Sequence, residues 1–259
     1  MHDLIIQNVA FSYGKAPVLN NVNLTVRPGD VISLLGPNGS GKSTLMKLIL
    51  GILKPQKGSI TLGGDETSRL SSRELAGRVA YVPQTNTSPF GYTGLEMVMM
   101  GRSVHRGVFA RYTKEDEEIA LHAMERLGVA DLRERIFTRL SGGQRQLLIL
   151  ARAIAQGARL LILDEPVTGL DYGNQLRLLE RIYELAGEGY TFIKSTHFPD
   201  HSLLISGRAV MLKDGVLFAD GGAQEVITPE NIKTMYDVDI RIADMEGGLR
   251  MCVPSFLGR

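Results

Sequence analysis

Short apolar runs that end in polar turns recur along the chain and predict buried strands. Two runs, at 31–35 and 159–163, are nearly continuous in Val, Ile and Leu. This pattern is typical of parallel strands that are covered on both faces. Weaker strand patterns lie at 3–9, 21–26, 59–62, 78–84 and 190–196. Apolar residues at helical spacing predict helices at 44–50, 94–100, 113–128 and 146–155. The strand patterns and the helix patterns together predict an α/β protein whose amino-terminal region is mainly antiparallel β structure.

A glycine-rich loop lies directly between the predicted strand 31–35 and the predicted helix 44–50. It matches G-x-x-x-x-G-K-[ST] without a gap and consists of Gly36, Pro37, Asn38, Gly39, Ser40, Gly41, Lys42, Ser43 and Thr44. Glycines let backbone N–H groups turn inward around a polyphosphate, and the following helix directs its positive end at the same anion. Lys42 is placed to reach the β- and γ-phosphates, and the Ser43 hydroxyl to bind Mg²⁺. The loop predicts a nucleoside triphosphate site, against the alternative of a chance match in a turn.

A second stretch with two consecutive glycines precedes the helix predicted at 146–155. It consists of Ser141, Gly142, Gly143 and Gln144, and the S-x-x-Q spacing by itself indicates a capping box. Two glycines in a first turn cost roughly 1 kcal/mol each against alanine, so a cap alone does not account for them. They expose backbone N–H groups at a positive helix end, which predicts a second anion site.

Two adjacent carboxylates, Asp164 and Glu165, follow the apolar run 159–163. The carboxyl end of a buried parallel strand is where open α/β sheets hold their ligands. We expect Asp164 to bind Mg²⁺, directly or through water, and Glu165 to face the water that attacks the phosphate. The alternative is a pair of surface acids in a turn, which the apolar residues immediately before the pair disfavour.

Two further side chains become candidates only beside these motifs. Tyr13 lies ahead of the glycine-rich loop and can stack on adenine, although an aromatic on the face of a strand is an equal alternative. His197 follows the strand predicted at 190–196, and a lone histidine is usually structural.

Acids also cluster at 116–118, after Thr113. Thr113 is predicted to cap a helix, and acids are favoured in the first turn of a helix. We therefore interpret this run as a solvated helix end.

Composition limits the class of protein. Lys and Arg total 29 against 28 Asp and Glu, so no basic excess indicates a nucleic-acid partner. No apolar run is long enough to cross a bilayer, and the first residues lack the basic start and apolar block of a signal peptide. The single cysteine, Cys252, suits a reducing cytosol and has no predicted role. We expect a cytosolic protein whose association with any membrane is peripheral.

The order of these motifs resembles that of ABC-type ATPase subunits over nearly the whole chain. The motifs are the glycine-rich loop, Gln84, the Leu-Ser-Gly-Gly-Gln run at 140–144, the strand with Asp164 and Glu165, the Gly-Leu-Asp run at 169–171, and His197. The resemblance implies a P-loop NTPase fold of ABC type, with a mixed-sheet nucleotide-binding core, an antiparallel β subdomain and an α-helical signature subdomain. It also implies an ABC ATPase domain over 1–240, a helical subdomain at about 85–158 and a tail at 241–259.

The resemblance assigns roles to the matching residues. Gln84 resembles the loop glutamine that senses Mg²⁺ and water and reports to a membrane partner, and Tyr13 the aromatic that stacks on adenine. Glu165 resembles the catalytic base, and His197 the switch that senses the γ-phosphate. The run at 141–144 resembles the signature that closes on ATP held by the opposite subunit, and Asp171 the acid that communicates across the dimer. Thr-Gly-Leu-Asp at 168–171 departs mildly from the common Ser-Ala-Leu-Asp.

Within the family, the segment 88–102 and its Met-Gly-Arg ending are similar to importers of metal chelates. These carry ferric siderophores, haem, cobalamin or molybdate, and an iron-siderophore is the favoured cargo. The resemblance implies a homodimer around two Mg-ATP on the cytoplasmic side of the membrane. The implied partners are two permease subunits, received by the surface at 84–106, and a substrate-binding protein.

Two other classes of function remain as alternatives. A soluble ABC ATPase acting on DNA or the ribosome is disfavoured, because the chain has one cassette, no basic tail and no long heptad insertion between Gln84 and Ser141. A nucleotide-binding regulator without turnover conflicts with the presence of Glu165 and His197. We therefore expect no nucleic-acid partner.

Overall fold

The computed structural model describes residues 3–84, 89–107, 110–205 and 207–256. Its strands are β1 (Leu4–Tyr13), β2 (Ala16–Val26), β3 (Val31–Leu35), β4 (Lys57–Leu62), β5 (Asp65–Glu66), β6 (Val79–Val82), β7 (Leu160–Leu163), β8 (Thr191–Thr196), β9 (Arg208–Lys213), β10 (Val216–Gly222), β11 (Ile240–Asp244) and β12 (Arg250–Pro254). Its α-helices are α1 (Lys42–Ile49), α2 (Ser72–Ala76), α3 (Gly94–Met99), α4 (Lys114–Arg126), α5 (Gly142–Ala155), α6 (Tyr172–Gly187), α7 (Pro199–Ile205), α8 (Ala223–Val226) and α9 (Pro229–Tyr236). The chain forms two compact units, which we call the core unit (Met1–Arg69 and Thr191–Arg259) and the helical unit (Leu70–Tyr190).

The core unit is built around β3, which lies between two parallel neighbours. Leu35 at its carboxyl end is opposite Thr196 of β8 and Met211 of β9, and β10 pairs with β9 antiparallel. Every residue of β3 and β8 is buried, as expected of parallel strands covered on both faces. This register brings the carboxyl ends of β3 and β8 to one edge, so the glycine-rich loop and His197 both start there.

A second sheet of the core unit is antiparallel, in the order β2-β1-β4-β5. It confirms the predicted antiparallel amino-terminal structure, although β1 runs on to Tyr13, beyond the predicted 3–9. β4 passes so close to β1 at Gly58 that an added Cβ would lie 2.1 Å from the Gln7 carbonyl oxygen. Because its φ is also +75°, this position requires glycine.

The carboxyl-terminal part of the core unit ends in an antiparallel hairpin of β11 and β12, in which Ile242 is opposite Cys252. We call residues 240–254 the C-terminal hairpin. Ile240, Ile242 and Cys252 are partly buried against an apolar cluster. The cluster draws on β3, β9 and helices α7 to α9, and consists of Leu35, Leu203, Ala209, Met211, Ala223, Val226, Ile227, Ile232 and Met235.

The helical unit joins the parallel pair β6 and β7 to a group of helices. Val82 is opposite Leu163, so the carboxyl ends of β6 and β7 lie at one edge. α5 packs against α3, α4 and α6, because apolar residues cover most of its surface. The predicted strands at 78–84 and 159–163 and the predicted helices at 94–100, 113–128 and 146–155 are confirmed.

The interpretation of the acids at 116–118 as a solvated helix end is wrong for Asp116. Its side chain is fully buried, and it accepts from Arg102 Nε at 3.1 Å and Arg106 Nη2 at 2.7 Å. Asp116 also completes the capping box of α4 with Thr113. Burial opposes the charge, but hydrogen bonds from Thr113 and the two arginines outweigh it and hold the pKa of Asp116 well below its usual range. The carboxylate therefore ties the start of α4 to the segment after α3.

Candidate functional site

The glycine-rich loop connects β3 to α1 and folds around the side chain of Lys42. The Lys42 ammonium donates to the carbonyl oxygens of Gly36 at 2.6 Å and Pro37 at 3.0 Å, and the residue is only 6% exposed. Gly39 and Gly41 have φ of +80° and +108°, which is the left-handed conformation that glycine adopts at least cost. The loop thus encloses the Lys42 side chain at the carboxyl end of β3.

Two features of the loop fit a polyphosphate. The buried Ser40 hydroxyl has no hydrogen-bond partner among the residues that the structure describes, and Gly36 lies so close that a Cβ there would be 2.7 Å from it. Helix α1 begins after Gly41, which offers no side-chain cap, whereas α2 to α6 each have one. The positive end of α1 is therefore not covered by a side-chain cap, which suits the binding of an anion with several oxygens.

Tyr13 is the last residue of β1 and is 49% exposed. Its ring meets that of Phe11 edge to face, with centroids 5.0 Å apart and planes at 84°. Phe11 is buried and fixes the tyrosine, and the exposed ring surface remains able to stack on a base.

His197 is exposed and follows β8 at the same sheet edge as the glycine-rich loop. Its ring lies 4.1 Å from that of Phe198, and the Phe198 ring lies 4.9 Å from that of His201 in α7. The Phe198 amide donates to the Thr196 hydroxyl at 3.1 Å, which fixes the turn after β8. The Phe198 ring therefore packs against this histidine, with the two ring planes tilted by 39°.

In the helical unit, Gln84 and Glu165 meet at the ends of β6 and β7. Gln84 Nε2 donates to Glu165 Oε2 at 3.0 Å, and the Thr168 hydroxyl donates to the same oxygen at 3.1 Å. Glu165 has φ of +45°, an uncommon conformation for a residue other than glycine and one that concentrates at functional sites. The carboxylate is thus held by two donors on a constrained backbone.

Asp164 lies beside Tyr81, a residue that the sequence did not single out. The Tyr81 hydroxyl donates to Asp164 Oδ2 at 3.3 Å, and the Asp164 amide donates to the Val82 carbonyl at 2.9 Å. Burial and the nearby carboxylate raise the pKa of Tyr81 to about 12, so the phenol stays protonated as a donor. The only sequence signal is a tyrosine within a predicted strand, 78–84.

The run at 141–144 forms the predicted capping box of α5. The Gln144 amide donates to the Ser141 hydroxyl at 3.3 Å, and the Ser141 amide donates to Gln144 Oε1 at 3.1 Å. Gly143 has an additional reason to be glycine, because a Cβ there would lie 2.3 Å from Asn174 Cγ in α6. Ser141 and Gly142 remain exposed, so this end of α5 is open to solvent.

Asp171 caps α6, a local role that the sequence analysis missed. It accepts from the Asn174 amide at 2.9 Å and from Asn174 Nδ2 at 2.7 Å. These hydrogen bonds hold the pKa of Asp171 below its ordinary value. The D-x-x-N spacing at the start of the helix is the signal that could have predicted it. Asn174 thereby contacts both this cap and the position of Gly143 in α5.

The predicted residues are divided between the two units. Tyr13, the glycine-rich loop and His197 belong to the core unit, whereas Gln84, the run at 141–144, Asp164, Glu165 and Asp171 belong to the helical unit. A sequence model of the family described as ABC transporter matches residues 19–168, more than half of the chain. The chain belongs to the ABC transporter family. ATP-binding members of this family hydrolyse ATP to drive transport, and this chain is an ABC ATPase of that type.

Relatives within the ABC family include proteins named for iron uptake. The chain is 36% identical over 93% of its length to the iron(3+)-hydroxamate import ATP-binding protein FhuC of Bacillus subtilis (strain 168), and covers 90% of that protein. It is 34% identical over 98% of its length to the ferric enterobactin transport ATP-binding protein FepC of Escherichia coli (strain K12), and covers 93% of it.

A solved structure confirms the ABC fold. One chain of a structure described as an inward-facing, metal-chelate type ABC transporter superposes with a TM-score of 0.87 at 33% identity, covering 98% of this chain and 97% of that one. The P-loop NTPase fold of ABC type and the similarity to metal-chelate importers are therefore confirmed. Within the described residues, none of the helices has the length and apolarity needed to span a membrane.

Proposed function

We propose that this chain is the ATP-hydrolysing subunit of an importer for a metal chelate. The observation that carries the proposal is the Glu165 carboxylate held by Gln84 at 3.0 Å and by Thr168 at 3.1 Å. A general base needs such fixed orientation, whereas a regulator that only binds nucleotide does not. This observation supports turnover over the regulator alternative.

The residues of the core unit serve to bind ATP. Tyr13 stacks on adenine, Lys42 contacts the β- and γ-phosphates, and backbone N–H groups of the loop at 36–44 surround the phosphates. His197 contacts the γ-phosphate and senses its presence. The start of α1, which has no side-chain cap, and the buried Ser40 hydroxyl support this assignment.

The residues of the helical unit serve hydrolysis. Glu165 accepts a proton from the attacking water, and Gln84 orients Glu165 and that water. Gln84 and Asp164 would hold Mg²⁺, as would Ser43 in the core unit, since hydroxyl, amide and carboxylate oxygens are the ligands that this ion prefers. When bound, Mg²⁺ neutralises phosphate charge. Tyr81 orients Asp164 through its hydrogen bond.

The working form in this proposal is a homodimer that holds two ATP head to tail. Each ATP binds to the loop of one subunit and is closed over by the run at 141–144 of the other, where Ser141 and Gly142 are exposed in the single chain. A nucleotide that satisfies both helix ends favours the closed dimer, and loss of the γ-phosphate reopens it. Asp171 at the start of α6 communicates across the dimer.

The proposed cargo is an iron-siderophore, with haem, cobalamin and molybdate as alternatives. The iron-related names of the two relatives support this choice. The proposed partners are two permease subunits and a substrate-binding protein, which would place the ATPase peripherally on the cytoplasmic side of the membrane. The surface at 84–106 would receive the permease, although residues 85–88 lie outside the described residues.

Along the sequence, we propose an ATPase domain at 1–240, with a helical subdomain at about 85–158, and a tail at 241–259.

Isolation of the tagged chain from its native membrane tests the transport function. We expect a polytopic membrane protein to copurify in equal amount, and the ATPase rate to rise when the substrate-binding protein with its cargo is added to the reconstituted complex. The untagged membrane fraction is the control. Copurification with ribosomes or DNA instead, with no membrane protein, would support the soluble alternative and contradict the importer.

A mixed dimer tests whether the two anion sites act on one nucleotide from opposite subunits. A Lys42→Ala chain is paired with a Ser141→Arg chain, and two affinity tags isolate the mixed species. In this dimer one site carries both defects, and the other combines an intact loop with an intact signature. We expect ATP-dependent closure, measured by cross-linking across the interface, in the mixed dimer but in neither mutant homodimer.

The matched control is a mixed dimer that carries both substitutions in one chain beside a wild-type chain, which places one defect in each site. It is expected to close poorly. If the first mixed dimer closes no better than the homodimers, the head-to-tail arrangement is wrong.

A further inference from the structure

The C-terminal hairpin reaches α7, the helix that follows His197. The Cys252 amide of β12 donates to Asp200 Oδ1 at 2.7 Å, and Asp200 lies in the first turn of α7. Ile242, opposite Cys252, packs against the apolar cluster that includes Leu203 of α7. Hydrogen bonding to Asp200 and the shared apolar cluster thus hold α7 against the hairpin.

The hairpin itself is anchored independently of α7. Arg250 donates to the Gln224 carbonyl at 2.7 Å and pairs with Asp244 at 3.2 Å. At its base, the Ser255 amide donates to the Asp239 carbonyl at 3.1 Å, and Asp239 pairs with Lys233 of α9 at 2.8 Å. Because these contacts do not involve α7, the hairpin can act as a fixed support for it.

From α7 the contact continues to His197 through aromatic rings. The His201 ring lies 4.9 Å from the Phe198 ring, and the Phe198 ring lies 4.1 Å from the His197 ring, with the planes tilted by 40° and 39°. Burial and the nearby Lys194 lower the pKa of His201 to about 4, so at neutral pH it packs as an uncharged ring. A rotation of α7 would move the His201 ring away from Phe198, the ring that His197 contacts.

We propose that Asp200 is a positioning residue for His197. Its hydrogen bond to the C-terminal hairpin holds the start of α7 in the orientation at which the His201 ring contacts Phe198 and the Phe198 ring contacts His197. Without that bond only the apolar contacts of α7 hold it, its first turn can shift, and the exposed His197 ring samples orientations that do not meet the γ-phosphate. The inference rests on the role of His197 in the proposed function, and it gives the tail a part in hydrolysis.

Asp200→Ala removes the acceptor and is expected to lower kcat for ATP by about fivefold to twentyfold, with KM changed by less than about twofold, since ATP affinity comes from the loop. Asp200→Asn keeps an acceptor oxygen in place and should retain kcat within about twofold. Asp244→Ala is the matched control, because it breaks a hairpin ion pair without touching α7, and it should leave kcat unchanged.

Nuclear magnetic resonance of the nucleotide-free protein gives a readout that does not depend on hydrolysis. Ring carbon and proton signals of His197 should shift and broaden in Asp200→Ala but not in Asp244→Ala. If Asp200→Ala does not fold, Phe198→Leu removes the intervening ring while keeping the bond to Cys252, and should change the His197 signals and kcat in the same way.

A double substitution separates this inference from the proposed function. In a His197→Ala background, Asp200→Ala should lower kcat no further, because the residue that it positions is gone. Three results would overturn the inference. The first is wild-type kcat and unchanged His197 signals in Asp200→Ala, and the second is a loss of kcat in Asp200→Asn as large as in Asp200→Ala. The third is a full effect of Asp200→Ala on kcat in the His197→Ala background. Normal turnover of His197→Ala alone would instead refute the role of His197 in the proposed function.

Discussion

Replacement of Glu165 by glutamine is expected to slow ATP hydrolysis by about 10²–10⁴-fold while Mg-ATP still binds. Glutamine has nearly the same shape as glutamate and can keep an oxygen towards Gln84 and Thr168, but it cannot accept the proton of the attacking water. The closed state should therefore accumulate. Gel filtration with saturating ATP should show a dimer that the wild-type chain forms weakly or not at all.

Glu184→Gln provides the matched control for this change. Glu184 lies in the same helical unit, on α6, and its carboxylate pairs with Arg181 on the surface. We expect wild-type turnover and no added dimer from this variant. If Glu165→Gln hydrolyses ATP normally, or remains a monomer in saturating ATP, the assignment of Glu165 as the base is wrong.

Loss of the Lys42 ammonium should have the other large effect. Lys42→Ala is expected to abolish measurable turnover, because a charge-assisted phosphate contact of about 1.5–3 kcal/mol is lost together with stabilisation of the transition state. Calorimetric titration should show weaker ATP binding in the same variant. The ammonium donates to the Gly36 and Pro37 carbonyls of its own loop, and we expect the fold to survive its removal.

Lys47→Ala tests whether the effect belongs to the site. Lys47 lies on the exposed side of α1, the helix that also contains Lys42. Its removal therefore changes the net charge of the chain by the same amount without touching the loop. This variant should keep its turnover. Near-normal hydrolysis by purified Lys42→Ala would exclude the loop at 36–44 from the mechanism.

The parts of the fold that were predictable depend on local pattern. The strand β3, the loop after it and the helix α1 follow from adjacent residues, since an apolar run, a glycine turn and helical spacing are all visible within twenty or so positions. The capping box of Ser141 and Gln144 is local in the same way, and it was predicted correctly.

The Asp171 cap was missed although its pattern is local, whereas two other missed features depend on partners outside their own segment. An acid in the first turn of a helix gives the same sequence pattern whether it is solvated or buried. Asp116 is buried because Arg102 and Arg106, which lie in a preceding segment, pair with it. Gly143 shows the same limit, because the crowding by Asn174 comes from a different helix. Local sequence specifies which groups can pair, whereas packing decides which of them do.

The position of β3 in its sheet has a consequence for biosynthesis. Its two parallel neighbours in the core unit, β8 and β9, come from the carboxyl-terminal part of the chain, after the whole of the helical unit. On the ribosome, the strand that carries the glycine-rich loop emerges early but remains without these neighbours until residue Lys213 has been added and has left the exit tunnel. During that interval the nascent chain exposes an apolar β3, which is the kind of segment that chaperones bind. A transcript truncated before β8 would therefore yield a chain that contains the complete loop motif but lacks the strands that hold it in shape.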